Sequence, residues 1–149
     1  MPDAVRSDHS FVPQGEVSLP RLCAMLDAAA MEYECKQEDG ESNLYVRRGV
    51  DFPLWIHIDA EFRYLQLHTY VNIDARVSGQ FEAVNAVNES AALLQFHLDG
   101  TRLYGYYWMT FAYGMDSRQF IFMLREFSAA FRAGADCLVS KIEEGQYLN

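Results

Sequence analysis

A chain of 149 residues that is 50% hydrophobic and 22% charged has the composition of one folded domain with its own core, which excludes a disordered chain and any need for stacked repeats. Twelve Lys+Arg against 21 Asp+Glu leave a net charge of −9, a field that repels phosphate backbones and anionic lipid, so nucleic acid and membrane are not expected partners. Aromatic residues make up 14% of the chain, nine of them tyrosines, a residue type that favours half-wet surfaces.

Residues 1–17 carry two prolines, a glycine and scattered charge without period, and read as a loose arm. The first ten residues hold no apolar stretch of the kind a signal peptide needs, and no run is long enough to span a bilayer, so a cytoplasmic location is expected. From Ser18, a capping residue with Pro20 in the first turn, the apolar residues Leu19, Leu22, Leu26, Ala29 and Ala30 recur at helical spacing and predict a helix to about Glu32. Residues 32–41 contain five acids and one Lys, and Asp39-Gly40 marks a turn between two short strands over residues 33–36 and 44–48. The acidic stretch is expected to be a solvated loop.

Leu54, Ile56 and Ile58 then alternate with Trp55, His57 and Asp59, and Leu65, Leu67, Val71 and Ile73 alternate with Tyr64, Gln66, His68 and Tyr70. A two-residue turn at Ala60-Glu61 would set Ile56 opposite Leu65 and Leu54 opposite Leu67. Phe81, Val84 and Val87 predict a short helix over residues 78–90. A second hairpin follows, with Asp99-Gly100 as its turn, Phe96 opposite Leu103 and Leu94 opposite Gly105. Asp116 is placed to cap a last helix with the apolar stripe Phe120, Met123, Leu124, Phe127 and Phe131, broken near Gly134 and trailing off beyond Leu138. The domain is therefore bounded at 18–142, with an arm over 1–17 and a tail over 143–149. Helices segregated from tightly connected strands define an α+β, two-layer domain with an antiparallel sheet, not a doubly wound one.

Strand parity sorts the side chains onto two faces. Leu54, Ile56, Ile58, Leu65, Leu67, Leu94, Phe96, Leu98, Leu103, Met109 and Phe111 belong to the face that helices cover. Trp55, His57, Tyr64, Tyr70, Gln95, His97, Tyr104, Tyr106 and Trp108 belong to the other, unusually aromatic for a solvated surface. Tyrosine's strand propensity alone could produce such a face. A protein-binding face, such as a homodimer seam, is the sharper reading, because large exposed apolar patches mark contacts. An enzyme using His57 and His97 is the alternative; no nucleophile, orienting carboxylate or phosphate-binding loop is tied to them by spacing. The odd set Cys23, Cys35 and Cys137 lacks C-x-x-C spacing and reads as reduced, partly buried thiols, and no metal or cofactor motif is present, so none of either is expected.

Asn85-Ala-Val-Asn88 on a short helix, then Leu94-Gln-Phe-His-Leu-Asp-Gly100, a long aromatic strand and an amphipathic helix to residues 127–131 together resemble the YbjN-like family, often labelled a bacterial sensory transduction regulator. The likeness is best over residues 76–132. It implies a fold similar to type III secretion chaperones, in the order α, three or four strands, α, two strands, α, commonly dimeric and not enzymatic. A self-pairing domain that binds a client or regulatory protein follows from it as an expectation. Asn85, Asn88, Asp99 and Gly100 would be structural, the amides tying their helix to neighbouring backbone. The run Tyr106-Tyr107-Trp108 is heavier in rings than is usual for the family.

Overall fold

A computed structural model of the chain describes residues 10–38, 41–73, 80–91 and 93–147. The start of the expected arm, the turn residues 39 and 40, and residues 78 and 79 of the expected second helix lie outside that set. The elements run β1 (Phe11–Val12), a short 3-10 turn, α1 (Leu19–Ala28), β2 (Glu32–Glu38), β3 (Glu41–Arg48), β4 (Leu54–Asp59), β5 (Tyr64–Asn72), α2 (Gln80–Ser90), β6 (Gln95–Asp99), β7 (Arg102–Thr110), β8 (Met115–Asp116) and α3 (Ser117–Tyr147). Six strands form one antiparallel sheet in the order β2-β3-β4-β5-β7-β6, and β1 pairs with β8 in a small second sheet. This is the α+β two-layer arrangement that the strand and helix order implies.

Helix α1 starts where the capping argument puts it: the Ser18 hydroxyl accepts from the Arg21 amide and Pro20 occupies the first turn. It stops at Ala28, four residues short of expectation, because Ala30 takes a left-handed backbone (φ 54°) and turns the chain into β2. Residues 32–38 and 41 are strand and not a solvated loop. Glu32 and Glu34 flank basic neighbours, with Arg47 reaching Glu34 at 2.9 Å and Glu32 at 3.6 Å, and Arg48 reaching Glu32 at 3.5 Å.

Both tight hairpins have a register different from the two-residue turns expected of them. In β4–β5 the pairs are Ile56↔Leu67 and Ile58↔Leu65, joined by a four-residue turn. The Asp59 carboxylate accepts from the Phe62 amide, and Arg63 adopts φ 62°, so the chain needs two more residues to reverse. In β6–β7 the turn is Gly100-Thr101, with Asp99 paired to Arg102, which sets Phe96 opposite Gly105. Each correction moves partners by an even number of positions, so every side chain keeps the face that parity assigns it.

The covered face carries the core. Leu44, Val46, Leu54, Ile56, Leu65, Leu67, Phe96, Leu98 and Leu103 are buried in one core with residues of all three helices, and α3 supplies the stripe Phe120, Met123, Leu124, Phe127 and Phe131. Ile58 and Met109 are only half-buried against it, and Phe81, expected on the buried side of α2, is 63% exposed while Ala83, Val84 and Val87 pack inward. Asp116 caps α3, accepting from the Arg118 amide at 2.8 Å and the Gln119 amide at 3.1 Å; those bonds and the Arg118 guanidinium hold its carboxyl down at about 2.

Two expectations about the ends are corrected. The arm is strapped down from Ser10 onward: Val12 is 1% exposed, Ser10 bonds Asp116, and Phe11–Val12 pair with β8. Helix α3 runs through Gly134 without a break to Tyr147, so residues 143–147 are helix, not a tail. Gly134 is a notch: a Cβ there would stand 2.1 Å from the tip of the Phe96 ring. A second glycine, Gly105 on β7, makes the matching hollow, since its Cβ would meet Phe131 at 2.5 Å. The stacked Phe96 and Phe131 rings, 5.6 Å apart, fill the space between sheet and helix that the two glycines open.

Two buried hydroxyls bolt the link between β3 and β4 in place. Thr69 donates to the Pro53 carbonyl at 2.6 Å and Ser128 donates to the Phe52 carbonyl at 2.9 Å, so β5 and α3 grip adjacent residues of one loop. At the far side of the sheet, Asn88 of α2 donates to the Phe96 carbonyl at 3.0 Å and accepts from the Phe96 amide at 2.7 Å. Those two backbone groups point away from β7, so the amide occupies the outer edge of β6 at Phe96. Asn85, three residues earlier, is exposed.

Candidate functional site

The face opposite the core is uncovered among the described residues, and register arranges its rings in rows. Glu34, Tyr45, Trp55, His68, Tyr106 and Gln95 lie side by side across all six strands. Tyr70, Tyr104 and His97 form the next row. Cross-strand neighbours stand close enough for aromatic rings to touch. Tyr45 and Trp55 are 4.6 Å apart, Trp55 stacks on Tyr70 at 5.4 Å and 8° and on His68 at 5.7 Å and 10°, and Tyr70 meets Tyr104 at 5.6 Å. Tyr104 stacks on Tyr106 at 6.0 Å, and the Arg102 guanidinium lies 4.9 Å over the Tyr70 ring. The result is a continuous ring surface whose members half-bury one another.

At one end, the exposed Phe62, Tyr64 and Trp108 with Asp59 border a hollow of about 410 Å³. Trp108 is 53% exposed and meets Tyr64 edge-on at 6.2 Å. All seven residues expected on this face (Trp55, His57, Tyr64, Tyr70, Tyr104, Tyr106, Trp108) therefore share it. Tyr45, His68 and Phe62 belong with them and were not singled out. Tyr45 sits between the core residues Leu44 and Val46, and His68 shares the parity of Tyr64 and Tyr70, so alternation carried the signal for both. Phe62 had none, because it rides on the longer turn.

His68 occupies the centre. Its Nδ1 is buried without a hydrogen-bond partner, and burial, followed by the nearby His57, lowers its pKa from 6.5. The ring is thus neutral at pH 7 and behaves as one more flat member of the stack. His57 is tied to its own strand neighbours, its Nδ1 lying 3.0 Å from Asn43 Oδ1 and 4.0 Å from Glu41 Oε2. His97 is exposed on β6 beside Tyr104. Three strand spacings and four residues of rise separate the two histidines, about 19 Å, so they do not converge on one substrate. No cluster of metal-ligating side chains occurs among the described residues. Cys23 is partly buried, but Cys35 and Cys137 are exposed rather than shielded, and all three are free.

The six-stranded antiparallel sheet with helices on one side gives the chain a YbjN-like α+β fold. No family model matches the sequence, and no curated protein matches it. Among solved structures it is similar to the crystal structure of YbjN, described as a putative transcription regulator from E. coli, with a TM-score of 0.62, 18% identity, and coverage of 83% of this chain and 90% of that one. At that identity the likeness establishes the fold, which is the one the Asn85-to-Gly100 pattern implies. No helix of the described residues is long and apolar enough to cross a membrane.

Proposed function

We propose that this chain is a non-enzymatic, cytoplasmic regulatory domain that works through protein–protein contact and pairs with a second copy of itself through the aromatic sheet face. One observation carries the reading: a contiguous, stacked ring surface that no element of the chain covers among the described residues. Five strand spacings of about 4.8 Å and strands averaging about 24 Å make a face on the order of 600 Å², at the lower end of the roughly 600–1,000 Å² per partner of a stable interface. Its middle is depleted of charge, and Tyr and Trp are the side chains that dominate binding hot spots. A two-fold axis through such a face sets identical ring rows against each other, the self-complementary arrangement of a C2 dimer. The description of YbjN as a regulator supports a regulatory role, and the net charge of −9 favours a protein over nucleic acid as what is regulated.

Light scattering on the whole chain, with Trp108→Ala beside it, tests the proposal. The native chain is expected to be a dimer, and loss of the half-exposed Trp108 to weaken pairing by about 30-fold, the equivalent of a hot spot of about 2 kcal/mol. A monodisperse monomer that Trp108→Ala leaves unchanged would sink the seam.

A further inference from the structure

Away from the sheet face, α1 and α3 leave a groove of about 520 Å³ between them, and it concentrates positive charge on an acidic molecule. On α1 its wall is Arg21, Ala24 and Ala28; on α3 it is Arg118, Phe122 and Arg125. The spacings are i, i+3, i+7 and i, i+4, i+7, so each helix presents one straight two-turn stripe, about 10.5 Å long. Alanines keep the α1 wall low, and Phe122, 56% exposed, stands up from the α3 wall with an arginine on either side of it. Among the described residues Arg21 and Arg125 have no carboxylate partner, whereas Arg118 is engaged with Asp116 at 3.4 Å.

We infer that this groove takes an amphipathic α-helix of a partner protein, with apolar residues facing the floor and acidic residues on both flanks. Two helical stripes that line one groove of about 520 Å³ form a seat for a third helix, whose side chains at i, i+3, i+4 and i+7 meet them in turn. The charge pattern selects among occupants. Arg118 and Arg125 lie about 10.5 Å apart along α3, beyond the span of a single carboxylate or phosphate, while acidic residues seven apart on a bound helix face both. Arg21, on the opposite wall, faces the other flank. Since charges are screened beyond about 8 Å at physiological ionic strength, the unpaired cations Arg21 and Arg125 act locally despite the overall negative charge, with Arg118 shared with Asp116.

Fluorescence anisotropy with the full chain tests this, using a labelled helical peptide of about 20 residues with leucines at i, i+3, i+4 and i+7 and flanking glutamates. A lysine-for-glutamate version of the peptide and phosphatidylglycerol vesicles serve as competitors. The glutamate peptide is expected to bind, to weaken tenfold or more in Arg21→Glu/Arg125→Glu, and to weaken with added salt. Ala28→Met, which raises the low α1 wall without altering charge, should weaken it as well, and circular dichroism melts establish that both variants are folded. Equal binding of the two peptides, no binding of either, or indifference to Ala28→Met overturns the assignment. Tighter binding to the vesicles than to the peptide also overturns it, in favour of an anionic lipid surface. Because Trp108 lies on the other layer, Trp108→Ala is expected to leave peptide binding unchanged, so failure of this inference is separable from failure of the dimer seam.

Discussion

Gly134→Ala sets two well-known effects against each other in the middle of α3. Alanine is favoured over glycine in a helix interior by about 1 kcal/mol, so on propensity alone the substitution stabilises. The added Cβ, however, would lie 2.1 Å from Phe96 Cζ and 2.6 Å from Cε2. Carbon pairs are comfortable at about 3.6 Å, so the ring must move by about 1.5 Å. On the Phe131 side it cannot retreat, and the other way lies only the surface hollow of about 380 Å³ that Phe96 and Gly134 help to line. Phe96 is 5% exposed and stacked on Phe131, which is fully buried, packed on Phe52 at 4.9 Å, and seated over Gly105. Overpacking of this kind costs about 1–3 kcal/mol, which outweighs the propensity gain and leaves a net loss of about 1 kcal/mol. In a chain of this size that lowers Tm by about 2–4 °C. Urea and thermal unfolding of the wild type, Gly134→Ala, Phe96→Leu and the double variant measure it. With the smaller side chain at 96, Gly134→Ala should become stabilising, a coupling of about 1–2 kcal/mol. A Gly134→Ala protein that is more stable by about 1 kcal/mol, or additivity across the cycle, would refute the notch.

Asn88→Ala strands the Phe96 amide and carbonyl at the outer edge of β6. A loss of about 1–3 kcal/mol is expected by urea unfolding, with faster amide exchange at Phe96; Asn88→Asp, which retains an acceptor but no donor, should lose less. For His68 the lowered folded pKa means that the native state binds fewer protons than the unfolded chain. Its contribution is fully present above the unfolded value of 6.5 and is lost as pH falls through that value toward the lower folded one. Thermal melts should therefore fall as pH is lowered from 7 through 6.5 in the wild type, less steeply in His68→Phe, and equal slopes would contradict the burial argument.

How much of this could be read beforehand depended on what encodes each feature. The two sheet faces were legible because alternation is strict from Leu54 to Asp59 and from Tyr64 to Tyr70, and a register error of an even number of residues leaves it intact. Turn lengths were not, since the Asp59 carboxylate and the left-handed Arg63 are local choices that no hydrophobic pattern reports. Gly134 was misread because a glycine in a helical pattern signals a break, and only the position of Phe96, 38 residues earlier, makes it a fitting surface instead. The strap at Phe11–Val12 is two residues long and has no period at all. The seven ring residues were placed on their common face from parity, yet which of them stand proud, Trp108 and Tyr64 above all, depends on how the rows stack. The arginine groove was invisible for a different reason: its two stripes are nearly a hundred residues apart and become neighbours only through the packing of α1 beside α3.

The Asn88 amide on β6 has a bearing on how copies of this chain can assemble. With the outward groups of Phe96 occupied by Asn88, β6 is the partly closed margin of the sheet and β2 the open one among the described residues. A body with a single sticky side can join another only side to side, and that union uses up the capacity of both. Polymerisation through sheet extension needs two such sides on every unit. One side-chain amide thus makes β6 a poorer edge than β2, and its removal would leave both margins of the sheet open to extension.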